Sequence, residues 1–472
     1  SASAAGKGAY AARIALDSIE IRNKHRTDRI RPTSVSLHTD SAATRAEAAS
    51  GDLSLTFSTP QSADSLIAAL TRSARALAGQ IDAQSIDMEQ LKPALPDFAL
   101  RVSAGPDNIL NSLLKSRKIA FDALNAEGAN CDSLPVSIRL RTEGLAYGNV
   151  VLDTVTADIR QNGKRLEYAL GLANTPGNLD NIARAGLYGH LVRNTGQANL
   201  YQRNRAGREG FRFGLDVTWT DSLVRASVTP PDPLFGFEPW TVNRGNYLAY
   251  RFDKRVEADL DMTHGDQRFA IRTTPGGGDD DDIRLDIAGL NIGSMLELLP
   301  SAPPIDGVLG ADVTLHLAPD SLCLRGDVSV SELSYAKQRF GNLDFGLFYG
   351  QGRGHRADAR LLLDGAEALT VAGDYRPDRE SPLDLTVTVP GFPLQRANVF
   401  LPADLLRLSG SLQARVHAGG TPERPKLDGG VRFAGTDVRV PMIGTSFGLS
   451  ADTIRIAGSR ILFDEYAVYA PN

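Results

Sequence analysis

The sequence predicts a mainly β chain, repetitive and elongated, with a few short helices near its N-terminal third. Three observations carry this. Leu383-Asp384-Leu385-Thr386-Val387-Thr388-Val389 alternates apolar and polar without a fault, which is the period of a strand with two unlike faces. Gly, Asn, Asp and Pro interrupt such stretches at short intervals, as turns between strands do. A unit of roughly a hundred residues occurs twice, and repetition of that kind favours stacked architecture over a single globule.

The repeat is read from aligned stretches. Leu285-Asp286-Ile287-Ala288-Gly289-Leu290-Asn291-Ile292 leads to Leu299-Pro300, and Leu385-Thr386-Val387-Thr388-Val389-Pro390-Gly391-Phe392 leads to Leu401-Pro402. Ile305-Asp306-Gly307 then corresponds to Leu408-Ser409-Gly410. The matching positions lie 100, 102 and 103 residues apart, so the two copies differ by small insertions only. Each copy reads as a strand, a glycine turn, a short helical or irregular piece ending in Leu-Pro, and a meander.

In chain order, residues 1–57 read as strands: Ile14, Leu16 and Ile19, then Val35-Ser36-Leu37, then Leu53 to Phe57. The basic run Arg22, Lys24, Arg26, Arg29, Arg31 between them reads as a solvated strand edge or loop. Residues 58–130 are a helical insertion with short strands. Leu66, Ile67, Leu70, Ala74 and Leu77 have helical spacing, and Gly79 is expected to end that helix. A short helical piece follows at Met88–Leu91. Pro106-Asp107-Asn108 opens another helix, which carries Ile109, Leu110, Leu113 and Leu114. Helices this short cover a sheet face or plug its end.

Residues 131–275 return to strands, at Val136–Leu140, Val150–Leu152, Leu166–Leu172, Leu187–Val192 and Phe211–Trp219. Pro230-Pro231-Asp232-Pro233 reads as a rigid break, and Pro239-Trp240-Thr241-Val242-Asn243 starts a new strand series. Residues 276–382 form the first repeat unit, opened by a flexible acidic turn, Gly276 to Asp282. Residues 383–472 form the second, cut short at its C-terminal end, with Pro390-Gly391 breaking its first strand. Ser1 to Gly6 resembles a linker and the strand pattern Tyr466–Ala470 simply stops, so the chain reads as a fragment whose targeting and anchoring segments lie elsewhere.

The composition narrows the function. A net charge of -5 gives no reason to expect nucleic acid. No run of about 18 apolar residues exists to span a bilayer as a helix. Cys131 and Cys323 make no metal-type spacing and are expected to stay unbridged.

No motif resolves into an active site, metal site or cofactor site. Gly444-Thr445-Ser446-Phe447-Gly448 fits the nucleophile-elbow pattern, but strand-like residues follow where a helix is needed. Ser112-Leu113-Leu114-Lys115 has Ser-x-x-Lys spacing without its companion motifs, and Gly350-Gln351-Gly352-Arg353-Gly354 lies between strands rather than before a helix. The acidic turn has neither EF-hand nor β-roll spacing. The histidines are scattered, with His316 and His417 on polar strand faces.

What remains is an apolar face. Leu285 and Ile287 share a parity; so do Val313, Leu315 and Leu317; Val328 and Val330; Leu383, Leu385, Val387 and Val389; Leu412, Ala414 and Val416. Such a face is either the closed core of a sandwich or barrel, or the inner wall of an open curved sheet.

The terminal third adds a resemblance. Leu408-Ser409-Gly410-Ser411-Leu412-Gln413-Ala414, then Gly419-Gly420-Thr421-Pro422-Glu423-Arg424-Pro425-Lys426-Leu427-Asp428-Gly429-Gly430-Val431-Arg432-Phe433, resembles the TamB translocation and assembly module family of the AsmA-like group, in its Bacteroidetes-type form. Val438 to Gly444, Ile461 to Asp464 and residues 239–252 extend the likeness. It implies an open, taco-like β-groove in the periplasm of a Gram-negative envelope, bridging inner and outer membranes. The fourteen residues just named would then line a groove for phospholipid acyl chains. It further implies a TamA-type outer-membrane barrel as partner and an inner-membrane anchor outside this sequence, with neither catalysis nor a cofactor. The alternative is a scaffold or chaperone for outer-membrane β-proteins, pairing client strands with its edges. An adhesin-like β-rod is a third reading.

Overall fold

The structure is a computed structural model that describes residues 2–4, 9–17, 19–22, 27–131, 133–179, 182–275, 281–299, 302–318, 321–351, 354–402 and 404–470. The protein is mainly β, and thirty-one of its strands are hydrogen-bonded into antiparallel sheet. It forms two compact units, Ser1–Pro239 with Leu298–Pro300, and Trp240–Glu297 with Ser301–Asn472.

In the first unit the strands follow one another as an antiparallel meander. Tyr10–Leu16 pairs with Thr33–Thr39, and the ladder continues strand by strand to Leu223–Phe235. The helical insertion, residues 58–130, does not interrupt the sheet: strand Phe98–Ala104 within it pairs directly with Leu53–Thr59, with Leu55 opposite Val102. In the second unit the meander runs from Tyr247–Arg251 to Arg460–Leu462, beside a four-stranded sheet near the C-terminus. Among the described residues no pairing joins the first and last strands of either unit, so neither meander closes into a barrel.

Central apolar residues of these meanders, Val387 and Leu140 among them, are half-buried rather than fully covered. The buried apolar residues form small satellite clusters in place of a central core.

Helix α1 (Ala63–Asp82) begins at Ser62, whose hydroxyl accepts from Ser65 N–H. It passes through Gly79 rather than stopping there. Gly79 has ordinary helical backbone with open space around it, and the helix ends only where Gln84 turns left-handed at φ 48°. Gly79→Ala is therefore expected to stabilise the helix by about 0.5–1 kcal/mol. Hydrogen exchange of its last-turn amides should slow roughly two- to fivefold, and unchanged exchange would contradict this. Helix α2 (Met88–Leu91) is capped by Asp87, and α3 (Ile109–Lys115) by Asn108.

Two proline-containing breaks prove to be bulges. Strand Leu223–Phe235 runs through Pro230–Pro233: Thr229 lies opposite Gly214 and Leu234 opposite Arg212, with the residues between bulged out. Strand Leu383–Pro393 likewise runs through Pro390-Gly391, pairing Val389 with Ala414 and then Phe392 with Leu412. A bulge tolerates the missing N–H of proline, which a regular ladder does not. The same irregularity occurs one repeat earlier, where Ile287 faces Ala311 and Leu290 faces Leu309 across a bulge at Gly289, φ 65°. A short helix, α4 (Ile292–Leu296), follows there, and a 3-10 turn, Leu394–Phe400, follows in the second copy.

Candidate functional site

Directly opposed residues of an antiparallel ladder share a face, so the second unit's register settles which residues lie side by side. One row crosses twelve strands: Leu260, Ile271, Leu285, Val313, Gly326, Leu347, Ala359, Val371, Val387, Val416, Gly429 and Ile456. Every position is apolar or glycine. A neighbouring row passes through Phe269, Ile287, Ala311, Val328, Phe345 and Leu361, and on the later strands Val389, Ala414 and Val431.

The remaining sequence-derived positions join the same face. Leu315 lies opposite Leu324, Leu317 opposite Leu322 and Val330 opposite Leu309. Leu383 lies opposite Tyr375, Leu385 between Gly373 and Ala418, and Leu412 opposite Phe392. All fourteen are half-buried. In a sandwich core, side chains at the centre of the inner face would be fully covered; here each is shielded by its neighbours and open above.

The other face is charged. Arg268 reaches Asp261 at 3.0 Å and Asp286 at 3.4 Å; Arg284 reaches Asp312 at 2.5 Å; Arg356 reaches Asp358 at 2.6 Å. Arg272 also contacts Asp261. The Arg268 hydrogen bond is the main reason the Asp261 carboxyl sits below the usual carboxylate range; partial burial opposes it, and the Arg268 and Arg272 charges add to the lowering. A lowered carboxyl stabilises the fold above the unfolded-state pKa, about 3.9, and that stability is lost as pH falls through the folded value. Arg268→Gln should thus lower the urea midpoint at neutral pH, and the gap from the wild type should shrink below about pH 4. A gap that widened in acid would contradict the assignment.

His316 and His417 both lie on this charged face and both pair with aspartate: Nδ1 of His316 is 2.7 Å from Asp282, and Nε2 of His417 is 3.0 Å from Asp384. The four residues occupy corresponding places in the two repeats. Among the described residues no group of three or more His, Cys, Asp or Glu could hold a metal ion.

The first unit carries an apolar face to which no site residue was assigned from sequence. Leu55, Val102, Ala126, Leu140, Ala157, Leu170, Leu187, Leu200 and Phe213 form its central row. A recess of about 350 Å³ opens on it, lined by Leu152, Val155, Leu170, Leu172, Leu187, Leu200 and Phe211 among others. The alternation in Leu166–Leu172 and Phe211–Trp219 was the available signal. The helices border this face. Met88 and Leu91 of α2 bury against Val136 at one set of strand ends. Ile109, Leu110 and Leu114 of α3 surround Leu53, Ala104 and Phe121 at the opposite ends. In the second unit the turn Leu394–Phe400 does the same. Val399 joins the cluster of Phe340, Leu363 and Ala368, and the Phe400 ring lies 5.1 Å from Tyr335 and 5.5 Å from Phe340.

The motif candidates resolve structurally. Ser446 lies on strand Thr445–Leu449, opposite Arg439, and the next element is strand Thr453–Ala457, not a helix. Ser112 and Lys115 belong to α3. Gly352, Arg353 and Gly276 to Asp280 lie outside the described residues, as do Lys24 and Arg26 of the basic run. Arg31 is paired with Asp107 at 2.6 Å. Cys131 and Cys323 are free thiols. Hydrogen bonding to the Ser133 hydroxyl is the main reason the Cys131 thiol sits below its ordinary range.

No family model, no curated protein and no solved structure matches the chain.

Proposed function

We propose that the apolar face of each unit shields the acyl chains of phospholipids, and that the protein is a segment of a TamB-like bridge carrying them through the periplasm between inner and outer membranes. The supporting observation is the unbroken apolar row of the second unit, half-buried side chains with charge confined to the opposite face. Transfer of a methylene out of water is worth ~0.8 kcal/mol. A fully shielded 16-carbon chain would gain on the order of 10 kcal/mol by that measure, enough to hold a lipid that water rejects.

Movement follows from sameness. With strands about 4.8 Å apart, twelve of them offer a path of roughly 50 Å along the ladder, longer than one acyl chain. Successive seats along it are chemically alike, so a chain slides without climbing a large barrier. Glycine and alanine at Gly326, Ala359 and Gly429 keep the row shallow where larger side chains would obstruct it. The headgroup stays in water at the open side. No bond is made or broken and no cofactor takes part. The TamA-type partner and the inner-membrane anchor rest on the family resemblance alone.

A photo-crosslinking amino acid tests this face by face. Placed at Val387 or Leu315 in cells, it should capture phospholipid; placed at Thr386, on the other face, it should not. Capture of outer-membrane proteins at Val387 and Leu315, with no lipid, would overturn the reading in favour of an assembly scaffold.

A further inference from the structure

We infer that helix α1 is a bilayer-contacting element, which lays an unpartnered apolar stripe into the surface of an anionic membrane. Residues of an α-helix follow one another by about 100°. Ile67, Leu70, Ala74, Leu77 and Ile81 therefore fall within a sector of about 80°. The buried side lies elsewhere on the helix: Ala69 is 1% exposed, and Ser73 Oγ donates to Ala94 O at 2.7 Å. The stripe itself is open, with Ile67 63%, Leu70 52%, Leu77 44% and Ile81 61% exposed.

The helix is held at both ends and along its buried side, and the stripe is left bare. At its start, Ala63 N–H donates to Thr39 Oγ1 at 3.0 Å. At its end, the Gln80 amide bonds both N–H and C=O of Asp87, which pairs with Arg193 at 3.3 Å, while Trp219 Nε1 donates to Gln84 O. Thr39 and Trp219 belong to strands far apart in the meander, so α1 runs across the strands as a bar along their ends.

A contiguous exposed apolar patch marks a contact surface, and the charges identify the occupant. Arg72 and Arg75 are the only charged residues of the central turns, both exposed and both without an ion-pair partner among the described residues. Asp64 and Asp82 sit in the terminal turns. The arginines project on the side away from the stripe. An apolar stripe opposite a basic face is the pattern of a helix lying in a bilayer interface, and unpaired arginines select anionic headgroups. This inference stands on the helix and does not require that the sheet carry lipid.

Flotation with vesicles tests it, using equal phosphatidylglycerol and phosphatidylcholine against phosphatidylcholine alone. The full chain should float with the anionic vesicles, less so at high salt. The double substitution Leu70→Glu and Leu77→Glu, on exposed positions, should leave the circular dichroism spectrum unchanged and cut the floating fraction at least tenfold. Arg72→Gln with Arg75→Gln should remove the preference for anionic vesicles. Val387→Asp should float like the wild type, which separates this contact from lipid held by the sheet. Absence of flotation, or flotation undiminished by the two glutamates, overturns the inference. So does vesicle-free sedimentation in which the wild type self-associates and the glutamate variant does not, because the stripe then meets a second copy.

Discussion

Val387→Asp is expected to fold and to lose its bound lipid. Val387 lies between Val371 and Val416 at the centre of the apolar row, half-buried rather than fully covered. A carboxylate there remains within reach of water, so the penalty of several kcal/mol for an unpaired charge in a dry core does not arise. The destabilisation should stay near 1 kcal/mol, the ordinary size for a point substitution. An acyl chain crossing the row is in a different position. It must either cover the charge or leave a wet gap, and both cost more than the few methylenes of contact they save. Copurifying phospholipid should fall at least fivefold. Thr386→Asp, between Ala372 and His417 on the charged face, should change neither property. Thermal unfolding and lipid content of the three proteins decide the matter. Global unfolding by Val387→Asp alone would mean that the face is covered, and equal lipid loss from Thr386→Asp would mean that the faces are reversed.

Gly373→Val is expected to destabilise the second unit by roughly 3 kcal/mol, the upper end of what overpacking costs. Judged by pattern alone the substitution looks favourable: position 373 lies in an apolar row between Ala357 and Leu385, and valine is a strand former. The geometry forbids it. A Cβ on Gly373 would lie 2.0 Å from Asp384 O and 2.7 Å from Leu385 Cα, and both are backbone atoms of the paired strand. Relief requires the two strands to part, which sacrifices ladder hydrogen bonds on one side or the other. The urea midpoint should fall accordingly. A midpoint equal to that of the wild type would show that the strands approach less closely than the structure has them. Gly79→Ala, with no atom within 4 Å of the new Cβ, has the opposite expected sign, so the pair tests close approach against backbone freedom.

Much of the second unit was legible because a period of two survives any number of strands. Leu383 to Val389 names its own face, and register then carries that face to Leu285 and to Val416 without further assumption. Bulges were harder. Pro390-Gly391 and Pro230–Pro233 contain the residues that end strands, and only pairing beyond them, Phe392 with Leu412 and Leu234 with Arg212, shows that the ladder resumes. Gly79 misled for a related reason, since glycine marks a helix end only if the backbone turns there, and Gln84 does the turning instead.

Two features were beyond reach of pattern. Asn108 and Asn111 are 1% and 0% exposed, and they are tolerated because Asn108 bonds Asp52 and Gly105 O while Asn111 bonds Phe121 O at 2.8 Å. Asp52 comes from a distant segment that no local window contains, and nothing in the local pattern marks Gly105 and Phe121 as partners. The recess of the first unit was missed because small residues in its lining, Gly171, Ala185 and Gly186, dilute the alternation that marked the second.

The central claim, that the apolar faces hold acyl chains, is tested most directly by mass spectrometry of organic extracts from the purified protein. The account predicts phospholipid at one or more molecules per chain in the wild type, and a large loss in Val387→Asp while the protein stays folded. Wild-type protein that is folded and free of stoichiometric lipid would contradict it.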